Sequence, residues 1–281
     1  MRAAAVVSIL VIAPILLGIT SAAAQTPSAP TIHISRAAGP ITIDGDLSDP
    51  GWRGATRVDQ WFETYPGDNI APPVKNVAYL TYDDRFFYVG FIFSDPNPKE
   101  ILAPIADHDH VNSNNTDFGG IMIDALNSGR TAIEFFVTPS NVQYDAVQDD
   151  GSGENSAPDF FWNSATKIGP AGWTLEIAIP FSSLRYRTVD PETWGITLWR
   201  NYPHGFRYQF SSAPSPRASN CFVCHENRLL GLSGLPGGRH LVVAPYVSGF
   251  DTAKTQDDTA GEPLGGSHLS PRAGLDLKFT P

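Results

Sequence analysis

The strongest constraint in this chain is a period of two. Residues 31–35, 41–43, 74–82, 86–94, 117–125, 132–138, 142–146, 164–168, 173–179, 195–200 and 207–210 alternate apolar and polar side chains, or are densely β-branched and aromatic. Turn residues close the runs, and Asp83-Asp84 and Asn127-Ser128-Gly129 read as hairpin connections. Only 181–184, behind Pro180, suggests a helical turn. Many short strands with almost no helix bury their apolar faces by stacking sheet on sheet. The expected fold is therefore an all-β antiparallel sandwich, jelly-roll-like. The 25 Gly and 24 Pro supply the turns, and a 42% apolar content over 281 residues is enough for a substantial core.

Residues 1–24 have the layout of a secretory signal. Arg2 is the positive start, an apolar run follows to Ile19, and Ala22 and Ala24 form the small-x-small cleavage pattern. Residues 25–30 then form a Ser/Pro linker. No later run of about 18 apolar residues reads as a membrane-spanning helix. An exported chain meets conditions that permit disulfides. A formal net charge of -10 disfavours nucleic acid, whose phosphates such a surface repels.

Within the first strands lies Ile43-Asp44-Gly45-Asp46-Leu47-Ser48-Asp49-Pro50-Gly51-Trp52. Two turns follow one another, and an indole drops back toward the core to staple both to the sheet. Further on come Val77–Leu80 with Phe87–Phe91 and Asp95, Ile123-Asp124 with Gly129–Ala132, the long Gly172–Arg185 run, and Trp194-Gly195-Ile196. In this order the motifs resemble the family 9 carbohydrate-binding modules and the wider sugar- or haem-binding β-sandwich group, over roughly residues 32–212. The resemblance is nearest to a subgroup whose sandwich precedes an outer-membrane β-barrel, with 239–250 and 272–278 similar to the segment leading into the barrel. It implies a carbohydrate-binding sandwich at 31–214, a Cys-containing connector at 215–236 and a loosely packed barrel-leading remnant at 237–281. A barrel needs at least eight strands, more than the remaining residues supply. It further implies a non-catalytic function in carbohydrate catabolism, linked to hydrolysis of O-glycosyl compounds only by association. The location implied is the periplasm, the outer membrane or the exterior.

Sugar recognition needs flat aromatic faces for pyranose C–H surfaces and polar groups for hydroxyls. Predicted loops offer Trp61, Phe62, Tyr65, Phe160, Phe161 and Trp162, with His108, His110, Asn112, Asn115 and Gln143 as polar neighbours. Trp61, Tyr65, Trp162, His110 and Asn115 are the expected ligand contacts, whereas Trp173, Trp194 and Trp199 lie in strand motifs and are expected in the core. Carboxylate pairs at Asp107/Asp109, Asp149/Asp150 and Glu154/Asp159 could suit glycoside hydrolysis only if about 5–9 Å apart across a cleft, and acids in loops are usually solvated.

Asp149, Asp150 and Glu154 form a loop of hard oxygen donors, either a calcium site of the kind family relatives carry or a solvated acidic loop. Asp107-His108-Asp109-His110 could ligate a transition metal. Cys221-Phe222-Val223-Cys224-His225 is sharper still. It reads as a small-loop disulfide between the only two cysteines, as c-type haem attachment with His225 on the iron, or as free or metal-bound thiols. Against haem, no helices are expected around it, and apart from Met1 the only methionine is Met122, in a predicted core strand.

Overall fold

Phe86–Ser94 and Gly172–Pro180 pair along their whole lengths, from Phe86 opposite Pro180 to Ser94 opposite Gly172. They form the spine of one sheet. The computed structural model describes residues 28–217, 219–237, 240–254 and 265–280. Its strands begin with β1 (Ile32–His33), β2 (Thr56–Val58), β3 (Phe62–Tyr65), β4 (Asn76–Tyr82), β5 (Phe86–Ser94) and β6 (Phe118–Asp124). They continue with β7 (Thr131–Val137), β8 (Gln143–Asp149), β9 (Gly153–Asn155), β10 (Asn163–Gly169) and β11 (Gly172–Pro180). The last are β12 (Glu192–Tyr202), β13 (Tyr208–Ser211), β14 (Asn227–Leu232), β15 (His240–Lys254) and β16 (Gly265–Thr280). The segment expected as a helical turn is a 3-10 turn, Phe181–Ser183. The signal-like segment 1–24 lies outside the described residues. Among those described, no helix is long and apolar enough to cross a membrane.

Two sheets face each other, as expected of an all-β sandwich. The smaller has the order β10-β11-β5-β4-β2. The larger runs β1-β14-β12-β6-β7-β8-β9, with β13 beside β12 and β3 beside β13. Pairing is antiparallel except between β1 and β14. Residues 215–236 do more than connect. β14 lies inside the larger sheet between β1 and β12, and buries Leu229 and Leu232 in the main core. The expected domain boundary at 214 therefore falls inside the sandwich.

The core between the sheets is built from one parity of each strand. Phe87, Val89, Phe91 and Phe93 of β5 meet Ile121 and Ile123 of β6, Phe135 of β7, and Trp194, Ile196 and Leu198 of β12. At full burial, each such side chain contributes about 1.5–3 kcal/mol. Arg200 continues the inward parity of β12 and is completely buried, 5.0 Å over the Phe93 ring and 4.7 Å over that of Tyr202. Its guanidinium donates to Asn76 Oδ1 and Ser94 O. Asp95 and Asp117 supply the opposing charge, and His204 Nε2 lies 2.8 Å from Asp117 Oδ2.

The opening motif docks on the outside of the smaller sheet. Residues 41–43, expected as a strand, form none; Ile41, Ile43 and Leu47 pack with Trp52, Tyr88 and Ala178 in a separate cluster outside the main core. Trp52 is buried as expected, but it does not lie between the sheets. Glu176 of β11, with no exposure, gathers the motif. Its Oε1 accepts the Trp52 indole N–H at 2.7 Å, and its Oε2 accepts the N–H groups of Asp44 and Gly45 at 2.9 and 2.8 Å. Gly45 sits at φ +85°, where a Cβ would press on the Thr166 carbonyl carbon at 2.9 Å, so the turn needs glycine.

Of the expected barrel-leading remnant, β15 and β16 pair with each other in a sheet separate from those of the sandwich. Val243 opposite Leu277, Pro245 opposite Leu275 and Val247 opposite Ala273 share one face of this ribbon. Tyr246, Ser248, Phe250, Arg272 and Asp276 lie on the other.

Glu176→Leu should leave two buried N–H groups, those of Gly45 and Trp52, and the part-buried Asp44 N–H without their acceptor, and destabilise the fold by about 2 kcal/mol or more, at about 1–3 kcal/mol per orphaned buried group. Trp52→Phe, which loses one of the three bonds, should cost less. Urea denaturation midpoints check both. Equal stability of Glu176→Leu and wild type would refute the role given to this carboxylate.

Candidate functional site

The outward parity of the larger sheet is unusually apolar. Trp199 of β12, Gly120 of β6, Phe136 of β7 and Tyr144 of β8 stand directly opposite one another in a row across four strands. Glycine is required at the second place, because a Cβ at Gly120 would lie 2.0 Å from Phe135 O and 2.9 Å from the Phe136 ring. The Phe136 ring and the neighbouring backbone take up the space a side chain there would need. Phe118 flanks Phe136 at 5.6 Å, and the rings of Phe136 and Tyr144 lie nearly parallel at 6.4 Å. Phe222, 39% exposed, meets Trp199 edge to face at 5.6 Å. These five rings line a cleft of about 450 Å³. Its polar lining comes from Glu134, Gln148, Glu154, Arg207, Gln209 and Ser113.

Glu134 sits on the floor, 2% exposed, and its Oε2 has no hydrogen-bond partner among the described residues. Burial, and then the neighbouring Glu154 carboxylate, push its pKa well above the ordinary carboxylate range and favour its protonated form. Tyr144 donates its hydroxyl to Glu154 Oε1. Burial first and Glu154 second hold this phenol well above its ordinary range. Arg207 on the opposite side donates to Ser113 Oγ at 3.1 Å.

Of the residues expected to contact a ligand, Trp61 and Trp162 are corrected by where they pack: both belong to the main core and neither lines the cleft. Trp162 packs edge to face on Phe135, and its N–H is taken by Asp145 Oδ1 at 2.9 Å; Trp61 packs the same way on Phe93. Tyr65 is half exposed and stacks on Phe206, with the Arg207 guanidinium 5.7 Å over its ring, so it flanks the cleft through Arg207. His110 and Asn115 are exposed in the loop whose Val111 and Ser113 form a wall of the cleft, and neither is itself in the lining. Residues 107–110 do not converge on an ion through both histidines. His108 reaches Asp109 and Asp145, while His110 Nδ1 turns to the His108 carbonyl.

Asp149, Asp150 and Glu154 do not fit a shared calcium, because each carboxylate serves a different partner. Asp149 accepts from Gly151, Ser152 and Thr131, which hold it below the usual carboxylate range. Asp150 caps Phe222 and Val223 N–H and lies 2.8 Å from Cys221 Sγ. Glu154 binds Tyr144. Cys221 and Cys224 are joined in a disulfide, and His225 Nε2 lies 3.0 Å from Ser219 Oγ. The C-x-x-C loop thereby holds Phe222 over the cleft.

Strand parity could have located this site. Leu198 and Arg200 point inward, so Trp199, expected in the core, must point outward; the same counting places Phe136 outward beside the inward Phe135.

Glu226, just beyond the C-x-x-C loop, is pushed up to about 9 by burial and then by Asp124 and Asp150. Carboxyls with a raised pKa in the folded state stabilise fully below the ordinary range near 4.3, and that stability is lost as pH rises through the folded value. Glu134 and Glu226 together should therefore lower the thermal midpoint progressively from about pH 5 to about pH 9. Glu226→Gln should flatten the decline. A profile unchanged by that substitution would contradict the assignment.

No protein-family model and no curated protein matches this chain. Among solved structures, it is similar to a Bacteroides uniformis protein provisionally described as carbohydrate-binding, with TM-score 0.58, 8% identity, and 72% of this chain and 99% of that one covered. A family 9 carbohydrate-binding module from Caldicellulosiruptor kristjanssonii in complex with cellotriose gives TM-score 0.49 at 15% identity, covering 70% and 92%. The module from the same organism in complex with glucose gives 0.46 at 13% identity, covering 70% and 94%. At these identities the likeness concerns the fold.

Proposed function

We propose that this chain is a non-catalytic carbohydrate-binding domain of an exported protein engaged in carbohydrate breakdown, and that it holds a poly- or oligosaccharide in the cleft on the outer face of the larger sheet. The observation that carries this reading is the row of aromatic rings across β12, β6, β7 and β8, bordered by polar side chains. Flat rings at the floor suit pyranose C–H faces, while Gln148, Gln209 and Arg207 offer hydrogen bonds to hydroxyls.

The ribbon supports a second element of the proposal, that the domain works at the outer membrane, in the periplasm or beside a β-barrel. Its one apolar face of Val243, Pro245, Val247, Leu275 and Leu277 is exposed, and alternation of apolar and polar faces is what a barrel strand shows.

Phe222→Ala and Tyr144→Ala should each weaken retention on polysaccharide affinity gels about tenfold, consistent with about 0.5–1.5 kcal/mol per aromatic contact. Retention untouched by both would move the ligand away from this cleft, for example to the apolar cavity of about 380 Å³ lined by Ile123, Ile133, Val147 and Phe160.

A further inference from the structure

The cleft holds two acids side by side, which recognition of sugar hydroxyls does not call for. Glu134 enters it from β7 and Glu154 from β9, with the Tyr144 hydroxyl of β8 bound to Glu154. Glu134 is the telling member, because a carboxylate oxygen in so buried a place normally has a donor, and Oε2 has none among the described residues. Arg207, the cation of the cleft, gives one N–H to Ser113 and lies over the Tyr65 ring, while its Nε–H has no partner among the described residues. Phe136 and Tyr144 stand beside the acid pair, and π faces attract cations as they attract C–H surfaces.

A metal ion is a poor occupant. Hard cations take six to eight oxygens, and these two carboxylates belong to no set of three convergent ligands among the described residues. An ammonium suits better, with three N–H donors for Glu134 Oε2 and Glu154 and a positive charge for the rings. Resting on the carbohydrate-binding reading above, we propose that the cleft prefers sugars carrying a free amine, that is glucosamine-type oligosaccharides, with the ammonium seated between Glu134 and Glu154 and the pyranose ring on Phe136 and Tyr144.

Binding would have a proton signature. Before binding, the charged or titratable groups around Glu134 are Glu154 and Tyr144, with Asp109 near the latter and Arg207 lining the same cleft. An arriving ammonium favours the ionised form of Glu134, so the Glu134 proton passes to the buffer.

Calorimetry of the full chain at about pH 7, with glucosamine oligomers, their N-acetylated counterparts and cello-oligosaccharides of equal length, tests this. The expected result is at least tenfold tighter binding of the free-amine oligomer, equivalent to about 1.4 kcal/mol. Its heat should vary with buffer ionisation enthalpy as proton release requires, while the N-acetylated oligomer shows no such dependence. Glu134→Gln and, independently, Glu154→Gln on the exposed β9 should bring the amine-to-acetyl ratio close to one. Equal binding of all three oligomers would overturn this inference and leave the carbohydrate-binding reading intact, whereas binding of none would overturn both. A preference surviving both substitutions would remove it from this pair of glutamates.

Discussion

A single buried carboxylate holds the two most recognisable parts of the chain together. Glu176 sits in the middle of β11, yet its partners all come from the opening motif: the Asp44 and Gly45 amides and the Trp52 indole. Burial pushes this acid above the ordinary range, and the three donors work in the opposite direction. The donors also fix where the first turns land, over Tyr88 and Ala178 on the outer face of the smaller sheet. That side of the sheet is thus closed by a chain segment of its own.

The larger sheet is closed differently, and its function follows from the difference. Its outer face carries a second apolar layer of Met122, Ala132, Phe136 and Trp199, covered in part by Val223 from the C-x-x-C segment. Coverage is incomplete. Val223 is fully buried and Phe222 reaches Trp199, but the row continuing through Phe136 to Tyr144 borders an open cleft. The disulfide loop acts here as a wall, tied by Asp150 through the Phe222 and Val223 amides. Its contribution is to place one aromatic ring.

Some buried charges oppose one another. Arg200, Asp95, Asp117 and His204 form one group at the end of the core; burial alone would depress His204, but the Asp117 hydrogen bond and charge outweigh it, so its pKa is raised. Asp145 spends its carboxylate on Trp162 and Phe160, which draws the loop after β9 down onto the core. This explains why aromatic residues in polar loops were poor guides to a ligand face: a neighbouring acid supplied the hydrogen bond that let an indole be buried.

The sequence alone determined the sandwich, because strand periodicity and turn chemistry are local properties. The bounds of β5 could be read residue for residue, while β2, β3, β9 and β14 were missed as short or weakly alternating runs. Parity within β7 and β12 also held the outward direction of Phe136 and Trp199, since successive side chains in a strand must point to opposite faces. Only tertiary structure decided which aromatics share a surface. Trp199 is far along the chain from the hairpin that carries Phe136 and Tyr144, and joins them through the register of β12, β6, β7 and β8. That register is set by long-range pairing, with a close approach of β7 that only a glycine at Gly120 admits, and the pairing is written in no one stretch of residues.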